Sequence, residues 1–347
     1  MANSRAQKGV TLDVIAQQAG TSVATVSKAL NGRTDISGTT RRKVLKVAAE
    51  LGYTHRRMVE TSTHVALVAD AFETLYTTEI LRGAAQECMR QDLLLTAAHV
   101  TTDETIAHGP LTEGWLATVA PTHLGLILVT STVEDTFVRT CARLNLPFLA
   151  VDPRSHPQND VFSIGATNWN GALDATRHLT GLGHRKIAFV GGKEDSFPSI
   201  ERFQGYLSAL QMSGLKTRPE WRDGGDYTFE AGVKAGTKFF SLPPHLRPTA
   251  VFAASDWIAL GVLDAARSHG LSVPEDVSVI GFDDTHIAAT SSPRLTTVRQ
   301  PMAEMGAVAV RTLVDMHQGL TPIGPLKLNT ELVKRASTAP PPVIEEK

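Results

Sequence analysis

Cysteine and long apolar segments are scarce in this chain of 347 residues. It contains two cysteines, Cys88 and Cys141, both in apolar stretches with helical spacing, and no run of about 18 apolar residues. Cysteines in such stretches are expected to be buried and free rather than joined in a disulfide. The amino terminus lacks the apolar core of a secretory signal. These absences predict a cytoplasmic protein without a transmembrane helix.

Common catalytic and metal-binding motifs are also missing. The sequence has no zinc-type Cys/His spacing and no Gly-x-Ser-x-Gly motif, and the Gly-Gly-Lys run at 191–193 lacks the rest of a phosphate-binding loop. His178 and His184 have no third metal ligand at a suitable spacing. Adjacent residues of a strand point in opposite directions, so Asp283 and Asp284 are not expected to share a proton. We therefore expect neither an enzyme nor a protein that needs a metal or cofactor.

Positive charge is concentrated in the first sixty residues. They contain ten Lys and Arg against four Asp and Glu, a net charge of +6, whereas the remaining residues carry 24 against 31, a net charge of −7. A basic segment on an acidic body indicates a polyanionic partner for that segment alone, although a basic excess can also be a solvated surface.

Two short apolar repeats within this basic segment predict a helix-turn-helix. Apolar residues at 12, 15, 16 and 19 have the spacing of one helical face, which Thr11 would cap and Gly20 would end. A second helix would begin after Ser22, and a third would span Ser37–Leu51. In this motif the second helix enters the major groove of DNA, and its first residues reach the bases. The spacing alone would fit equally well with a three-helix bundle whose partner is a protein.

The residue order in this segment is similar to the DNA-binding head of the lactose-repressor (LacI/GalR) family. The matching runs are Val10–Ala16, Ala19–Ser22, Thr25–Gly32 and Leu51–Tyr53, without an internal gap. The resemblance implies that one set of residues faces DNA. The set is Thr11, Ser22, Val23, Ala24, Thr25, Ser27, Lys28, Asn31, Ser37 and Thr40, with Tyr53 beside them.

The segment after Tyr53 departs from the family pattern. Members of the family usually continue with a Pro-Asn pair and a hinge helix whose leucine wedges into the minor groove, but residues 54–64 contain neither proline nor leucine. Arg56 and Arg57 could instead contact phosphate or the minor groove. The usual coupling of hinge folding to DNA bending is therefore in doubt for this chain.

Strand-like and helical runs alternate from His64 onward. Short apolar runs such as His64–Asp70, Leu124–Val129 and Val277–Gly281 have the composition of strands covered on both faces, and helical runs such as Trp169–Gly181 separate them. The alternation predicts an α/β domain of two doubly wound parallel sheets. Ligands of such sheets bind beyond the carboxyl ends of the strands, and two facing sheets form a cleft that can close.

Polar residues at the predicted strand ends, with nearby aromatic rings, are the expected ligands of this cleft. Carboxylates and guanidinium groups bind paired hydroxyls and aromatic faces stack on sugar rings, so the chemistry fits a polyol. Any single aromatic residue could equally belong to the packing of a lobe. The predicted effector-binding set is Asp70, Phe72, Ser131, Asp152, Asn168, Trp169, Phe197, Arg202, Tyr227, Phe229, Ser255, Asp256 and Asp283.

The similarity to the lactose-repressor family continues through this part of the chain. It is carried by Leu182–Ala188, Arg202–Tyr206, Ala253–Asp256, Gly281–Asp284, Leu295–Val298 and Gln300-Pro301. The resemblance implies a two-lobed, periplasmic-binding-protein-like sensor in which Arg202 and Asp283 bind a small effector, commonly a sugar that releases the repressor from its operator. Ser255 stands where the family commonly has Asn, which puts polar contact there in doubt.

We expect three segments along the chain. Residues 1–60 would form the head and a short hinge, 61–336 the effector domain, and 337–347 a Pro-rich tail. The first lobe would comprise 64–166 and 295–325, and the second 167–294 and 326–336. We expect a homodimer that binds a pseudo-palindromic double-stranded operator. Since the tail lacks leucine heptads, a tail-bundled tetramer is not expected.

Two other classes of protein use the same kind of effector domain. A sugar-binding protein that feeds a transporter would need an export signal and no basic head, and this sequence shows the reverse. An enzyme acting on a sugar or nucleotide would turn over its substrate. Specific, salt-sensitive binding to a pseudo-palindromic duplex would exclude both as the primary role.

Overall fold

The chain forms two separate units. The computed structural model describes residues 11–30, 36–51, 62–100, 110–154 and 161–342. The head extends to Ser62, and the effector domain begins at Thr63. Within the described ranges, none of the helices combines the length and apolar character that crossing a bilayer requires.

The head is a bundle of three helices. They are α1 (Leu12–Ala19), α2 (Val23–Leu30) and α3 (Gly38–Glu50). Ile15, Val26 and Val44, one from each helix, are fully buried at the centre of its core. Gly20 has a φ of 61° and ends α1, as predicted, because a residue without Cβ takes this left-handed conformation without strain. Thr11 is the N-cap residue of α1, as predicted, but its side chain makes no capping hydrogen bond.

The first lobe of the effector domain contains a six-stranded parallel sheet. Its strands are β1 (His64–Ala69), β2 (Leu94–His99), β3 (His123–Val129), β4 (Phe148–Val151), β5 (Ser163–Ala166) and β11 (Leu326–Leu328), in the order β11-β5-β4-β3-β1-β2. Its helices are α4 (Leu75–Arg90), α5 (Glu113–Val119), α6 (Asp135–Leu144) and α12 (Met302–His317). Side chains alternate along β1, so Val65 packs with α4 and α12 and Ala66 with α5 and α6. Both faces of the sheet are therefore covered.

The second lobe repeats this architecture. Its strands are β6 (Ile187–Val190), β7 (Arg222–Asp223), β8 (Ala250–Ala253), β9 (Ser278–Asp283), β10 (Thr296–Arg299) and β12 (Glu331–Val333), in the order β12-β10-β9-β8-β6-β7. Its helices are α7 (Asn168–Gly181), α8 (Phe197–Met212), α9 (Phe229–Phe240), α10 (Asp256–Ser268) and α11 (His286–Thr290), with a 3₁₀ turn at Pro219–Trp221. Only β12 pairs antiparallel, with β10. The predicted pair of doubly wound, mainly parallel sheets is confirmed.

The chain crosses between the lobes at different places from those predicted. Strand β10 pairs with β9 in the second sheet, so the first lobe resumes after Arg299 and not at 295. Strand β11 pairs with β5 in the first sheet, so the second lobe resumes after Leu328 and not at 326. These limits of the lobes are wrong because β10 and β11 are short and contain polar residues, so neither has the continuous apolar run that marks the recognised strands.

The segment after β12 is attached to the second lobe. Ser337 is fully buried, its hydroxyl donates to the Val279 carbonyl at 2.6 Å, and its own carbonyl accepts from the Val279 N–H at 2.8 Å. The Ala339 carbonyl accepts from His184 Nε2 at 2.8 Å and from the Ser278 hydroxyl at 3.0 Å. The predicted start of a tail at 337 is therefore wrong, because residues 337–339 are bonded to β9 and its neighbours.

Candidate DNA-binding surface and effector cleft

The outward side of α2 carries three of the predicted DNA-binding residues. Val26 and Ala29 are buried in the core of the head. Val23, Ala24 and Lys28 are exposed, and residues four apart lie on the same side of a helix. The buried residues fix which side faces outward, so a partner can reach the small and basic side chains of α2.

Two Ser/Thr pairs cap helices of the head. Ser22 Oγ accepts from the Thr25 N–H at 3.1 Å, and the two hydroxyls are 2.8 Å apart. Ser37 and Thr40 repeat this arrangement at the start of α3, with the same two distances. Each cap satisfies a backbone N–H that has no partner within its helix. Four predicted DNA-binding residues therefore also fix where α2 and α3 begin.

The other predicted DNA-binding residues lie near these helices or outside the described ranges. Thr11 is exposed just before α1, and Ser27 is half-buried on α2. Asn31, Tyr53, Arg56 and Arg57 lie outside the described residues. The prediction made for the hinge therefore stays a prediction.

In the first lobe, two predicted ligands lie at the carboxyl ends of strands. Asp70 follows β1 and accepts from the Thr130 hydroxyl at 2.5 Å and from Arg154 Nη2 at 2.6 Å. Asp152 follows β4, is buried, and accepts from the Tyr76 hydroxyl at 2.5 Å. Since the carboxyl ends of parallel strands lie on one edge of the sheet, these side chains gather there.

Two further predicted residues of the first lobe are in contact with their own lobe. The buried Ser131 hydroxyl donates to the Val129 carbonyl at 3.0 Å. The Phe72 ring lies 6.4 Å from the His99 ring, measured between centroids. Phe72 is half-buried, so one part of its surface remains open to a ligand.

In the second lobe, Arg202 is held in place by four neighbours. Its Nε donates to Asn168 Oδ1 at 2.9 Å and its Nη1 to the Ala254 carbonyl at 2.6 Å. Its guanidinium carbon lies 3.9 Å from the centroid of the Phe282 ring, and Nη1 lies 3.7 Å from Asp283 Oδ1. Only 3% of Arg202 is exposed. The guanidinium group is therefore oriented before any ligand binds, which lowers the entropic cost of binding.

The two lobes bring buried carboxyl groups close to one another. Gln300 Nε2 donates to Asp283 Oδ1 at 2.7 Å. Burial raises the pKa of Asp283 to about 6, Arg202 opposes this rise, and Asp152 of the other lobe adds to it. Burial also raises the pKa of Asp152, against the hydrogen bond from Tyr76. Groups from both lobes therefore share one electrostatic environment.

Direct contacts also join the lobes. The Phe197 N–H donates to the Arg154 carbonyl at 2.8 Å. Lys327 Nζ, on β11, lies 3.0 Å from Glu201 Oε2, and the same oxygen accepts from Asn168 Nδ2 at 3.1 Å. We refer to the residues joined in this way as the cleft cluster. It comprises Asp70, Tyr76, Asp152, Arg154, Asn168, Phe197, Glu201, Arg202, Asp283, Gln300 and Lys327.

Tyr227 lies beside the cleft cluster. Its ring centroid is 6.0 Å from the guanidinium carbon of Arg202, and its hydroxyl is 3.4 Å from Ser196 Oγ. A Cβ at Gly192 would lie 2.1 Å from the Tyr227 ring, so only glycine lets the ring pack here. Tyr227, a member of the predicted effector-binding set, therefore lies beside Arg202.

Of the four remaining predicted residues, two have partners inside the second lobe. Asp256 accepts from the Thr285 N–H and hydroxyl and from the Thr297 hydroxyl, so both of its oxygens are used inside the second lobe. The Ser255 hydroxyl caps α10 by accepting from the Ile258 N–H. The other two are half-buried aromatic residues. Phe229 lies 6.2 Å from the Trp257 ring, and Trp169 has its carbonyl against Gly205.

Several members of the cleft cluster were not predicted as ligands. Arg154 follows Asp152 by two residues, and Tyr76 lies in the first turn of α4, so strand-end reasoning extended by one turn would have included both. Gln300 belongs to a run quoted for the family resemblance but was not assigned a role. Lys327 had no sequence signal, because β11 was placed in the wrong lobe.

A three-helix head and a two-lobed domain with a polar cleft define a ligand-responsive DNA-binding protein. Residues 11–55 match the model of bacterial regulatory proteins of the lacI family, and residues 176–338 match that of a periplasmic binding protein-like domain. The chain belongs to the lacI family, since relatives match it over nearly its whole length.

Three of these relatives illustrate the similarity. The HTH-type transcriptional repressor CytR of Escherichia coli (strain K12) is 32% identical over 97% of this chain and 99% of its own. A solved CelR–cellobiose complex is 31% identical, covers 94% of this chain and 99% of its own, and has a TM-score of 0.71. The lac repressor dimer bound to operator and the anti-inducer ONPF is 27% identical, covers 96% and 100%, and has a TM-score of 0.69.

Proposed function

We propose that this protein is a transcriptional repressor that binds operator DNA through α2 and releases it when a sugar occupies the cleft. The exposed side of α2 carries the proposal, because Val23 and Ala24 can pack on thymine methyl groups and Lys28 can reach a phosphate or a base. Membership of the lacI family and the repressor names of the relatives support it.

Effector and operator binding would be linked through the lobes. The cleft cluster draws side chains from both lobes, so a ligand there favours one arrangement of the lobes over another. An effector that lowers operator affinity must bind the DNA-free state more tightly by the same factor. In a homodimer, two heads would meet two half-sites of a pseudo-palindromic operator.

The DNA-binding role can be tested with one exposed lysine in each unit. Lys28→Ala should weaken operator binding and reduce the dependence of log Kd on log salt concentration by about one unit. Lys216→Ala removes the same charge from an exposed site of the effector domain and should leave both values unchanged. Fluorescence anisotropy with a duplex selected from random sequence provides the measurement. Equal binding by wild type and Lys28→Ala would refute the placement of α2 in the groove.

A substitution at Arg202 tests the effector role separately from DNA binding. Arg202→Ala should abolish release of the operator by the effector while the unliganded protein still binds DNA, because Arg202 lies in the effector domain. A reporter gene under the operator shows both properties at once. Repression that is still relieved by the effector in this variant would contradict the assignment.

An enzymatic role is the alternative. The names of the relatives, which are regulators, do not support it. We infer that the protein acts by binding alone and that it works in the cytoplasm, where its DNA is. Turnover of a sugar or nucleotide by the purified protein would overturn the first inference.

A further inference from the structure

The positive groups of the cleft cluster are each paired with a carboxylate. Arg154 Nη2 lies 2.6 Å from Asp70 Oδ2, Arg202 Nη1 lies 3.7 Å from Asp283 Oδ1, and Lys327 Nζ lies 3.0 Å from Glu201 Oε2. Asp152 adds a further carboxylate, which receives a hydrogen bond from Tyr76 rather than from a cation. The cleft therefore has no surplus positive charge among the described residues.

Two sequence segments that follow strands of the first lobe add no lysine or arginine. Segments 101–109 and 155–160 follow β2 and β4 along the chain and lie outside the described residues. Their sequences contain neither lysine nor arginine. Lys193, in the loop after β6, lies 3.8 Å from Asp226 Oδ1, so it too has a carboxylate beside it.

Hydrogen-bond acceptors, in contrast, are left over. Asp152 uses Oδ2 and Asp283 uses Oδ1, and their other oxygens receive no hydrogen bond from the described part of the chain. Gln300 is 3% exposed, and its Oε1 is buried without a partner among the described residues. A buried acceptor without a donor is costly, so Gln300 Oε1 favours a ligand that brings a donor, and the two open carboxylate oxygens can accept from the same ligand.

We infer that the cleft takes an uncharged sugar or polyol whose hydroxyls donate to Asp152, Asp283 and Gln300, and that it rejects sugar phosphates and uronates. The inference rests on the proposed effector role of the cleft. An anionic ligand would face Asp152 and Asp283 with no unpaired cation to compensate it, and burying such a charge is strongly unfavourable. Hydroxyl groups satisfy the free acceptors and accept in turn from the remaining Nη2 of Arg202.

Matched pairs of sugars test the charge rule. Melting temperature and calorimetric Kd are measured for the full chain with glucose and glucose 6-phosphate, galactose and galacturonate, and ribose and ribose 5-phosphate, with cellobiose and common pentoses and disaccharides added. Ligands that raise the melting temperature should be the uncharged members, with their charged counterparts at least about 100-fold weaker.

Two outcomes would overturn the inference. They are tighter binding of a phosphate or uronate than of its parent sugar, and no stabilisation by any sugar of the panel. Operator binding is measured on the same preparation. A preparation that binds operator but prefers an anionic sugar refutes the charge rule alone, whereas one that binds no duplex refutes the proposed function.

A pair of isosteric variants tests the free acceptors. Asp152→Asn retains an oxygen that can accept from Tyr76 but replaces the free acceptor with an amide donor, and it should weaken binding of the neutral sugar by about 10- to 100-fold. Asp264→Asn makes the same change at a surface pair with Arg267 and should leave Kd unchanged. Wild-type affinity of Asp152→Asn would refute the role of this acceptor.

Discussion

Asp283 is a buried acid with a guanidinium group and an amide close to one of its oxygens. Gln300 donates to one of its oxygens, and Arg202 lies 3.7 Å from the same oxygen. Burial nevertheless raises its pKa to about 6 from an ordinary value of 3.8. The folded protein therefore holds a proton on Asp283 more readily than the unfolded chain does.

This raised pKa predicts how stability depends on pH. The contribution of Asp283 to stability is fully present below pH 3.8 and is lost as the pH rises through about 6, because the charged form is disfavoured in the folded state. Asp283→Asn removes this titration and retains an oxygen for Gln300. The free energy of unfolding of Asp283→Asn, relative to that of wild type, should therefore be larger at pH 7.5 than at pH 4.

Urea unfolding at several pH values measures the difference between the two proteins. Asp264→Asn, at the protein surface, provides the control for losing one carboxyl group. A difference between wild type and Asp283→Asn that does not change from pH 4 to 7.5 would show that burial does not raise this pKa.

Among the secondary-structure elements, α4 and α12 approach each other through glycines. A Cβ at Gly83 would lie 1.8 Å from the Ala303 carbonyl oxygen, and a Cβ at Gly306 would lie 2.1 Å from the Ile80 carbonyl oxygen. Both clashes are with backbone, which cannot rotate away as a side chain can. This helix pair covers one face of the first sheet, so its spacing determines how that core is packed.

Gly306→Ala should destabilise the effector domain by about 1–3 kcal/mol, because the added methyl group overpacks the contact between α4 and α12. Gly181→Ala is the matched control, since no atom lies within 4 Å of its Cβ position at the end of α7. It should be neutral or stabilising by up to about 1 kcal/mol, because alanine has the higher helix propensity. Thermal unfolding compares the two variants, and equal melting temperatures would refute the close approach.

Elements with a continuous apolar run or a helical repeat could be predicted from the sequence, whereas short strands that contain polar residues could not. The apolar runs of β1, β3 and β9 and the helical repeat of α7 carry enough residues to reveal their period. Strands β10, β11 and β12 have three or four residues each and are defined by their pairing with distant strands. Pairing across the sheet is a tertiary property, so it leaves little trace in the local sequence.

The residues of the cleft could be predicted where they follow a strand that the sequence reveals. Asp70, Asp152 and Asp283 end strands that the sequence reveals, and parallel strands must gather their carboxyl ends on one edge. Asp256 also follows a predicted strand, but its oxygens bond inside the second lobe. Sequence position alone therefore does not distinguish a ligand from a structural carboxylate, because that depends on which neighbours the fold supplies.

At the scale of the whole molecule, the last described residues hold the second lobe together. Ser337 and Ala339 bond to β9 and to the fully enclosed His184. Loss of these buried hydrogen bonds would leave polar groups of β9 without partners, which is costly.

Deletion of residues 337–347 should therefore lower the melting temperature markedly. Each kcal/mol of lost stability lowers it by about 2–4 °C in a domain of this size. Deletion of 343–347 alone leaves every one of these bonds in place and should have little effect. Differential scanning calorimetry distinguishes the two truncations. Equal melting temperatures for the two truncated proteins would contradict a structural role of residues 337–339.

The three crossings between the lobes have a consequence for dissecting the gene. The backbone passes from one lobe to the other after Ala166, after Arg299 and after Leu328. Neither lobe corresponds to a single uninterrupted stretch of the coding sequence, so an amino-terminal fragment that ends at any of these boundaries would lack β12, and one that ends at Ala166 or Arg299 would also lack β11. Expression of the coding region up to Ala166 would thus leave β5 unpaired on the side where β11 lies in the whole chain.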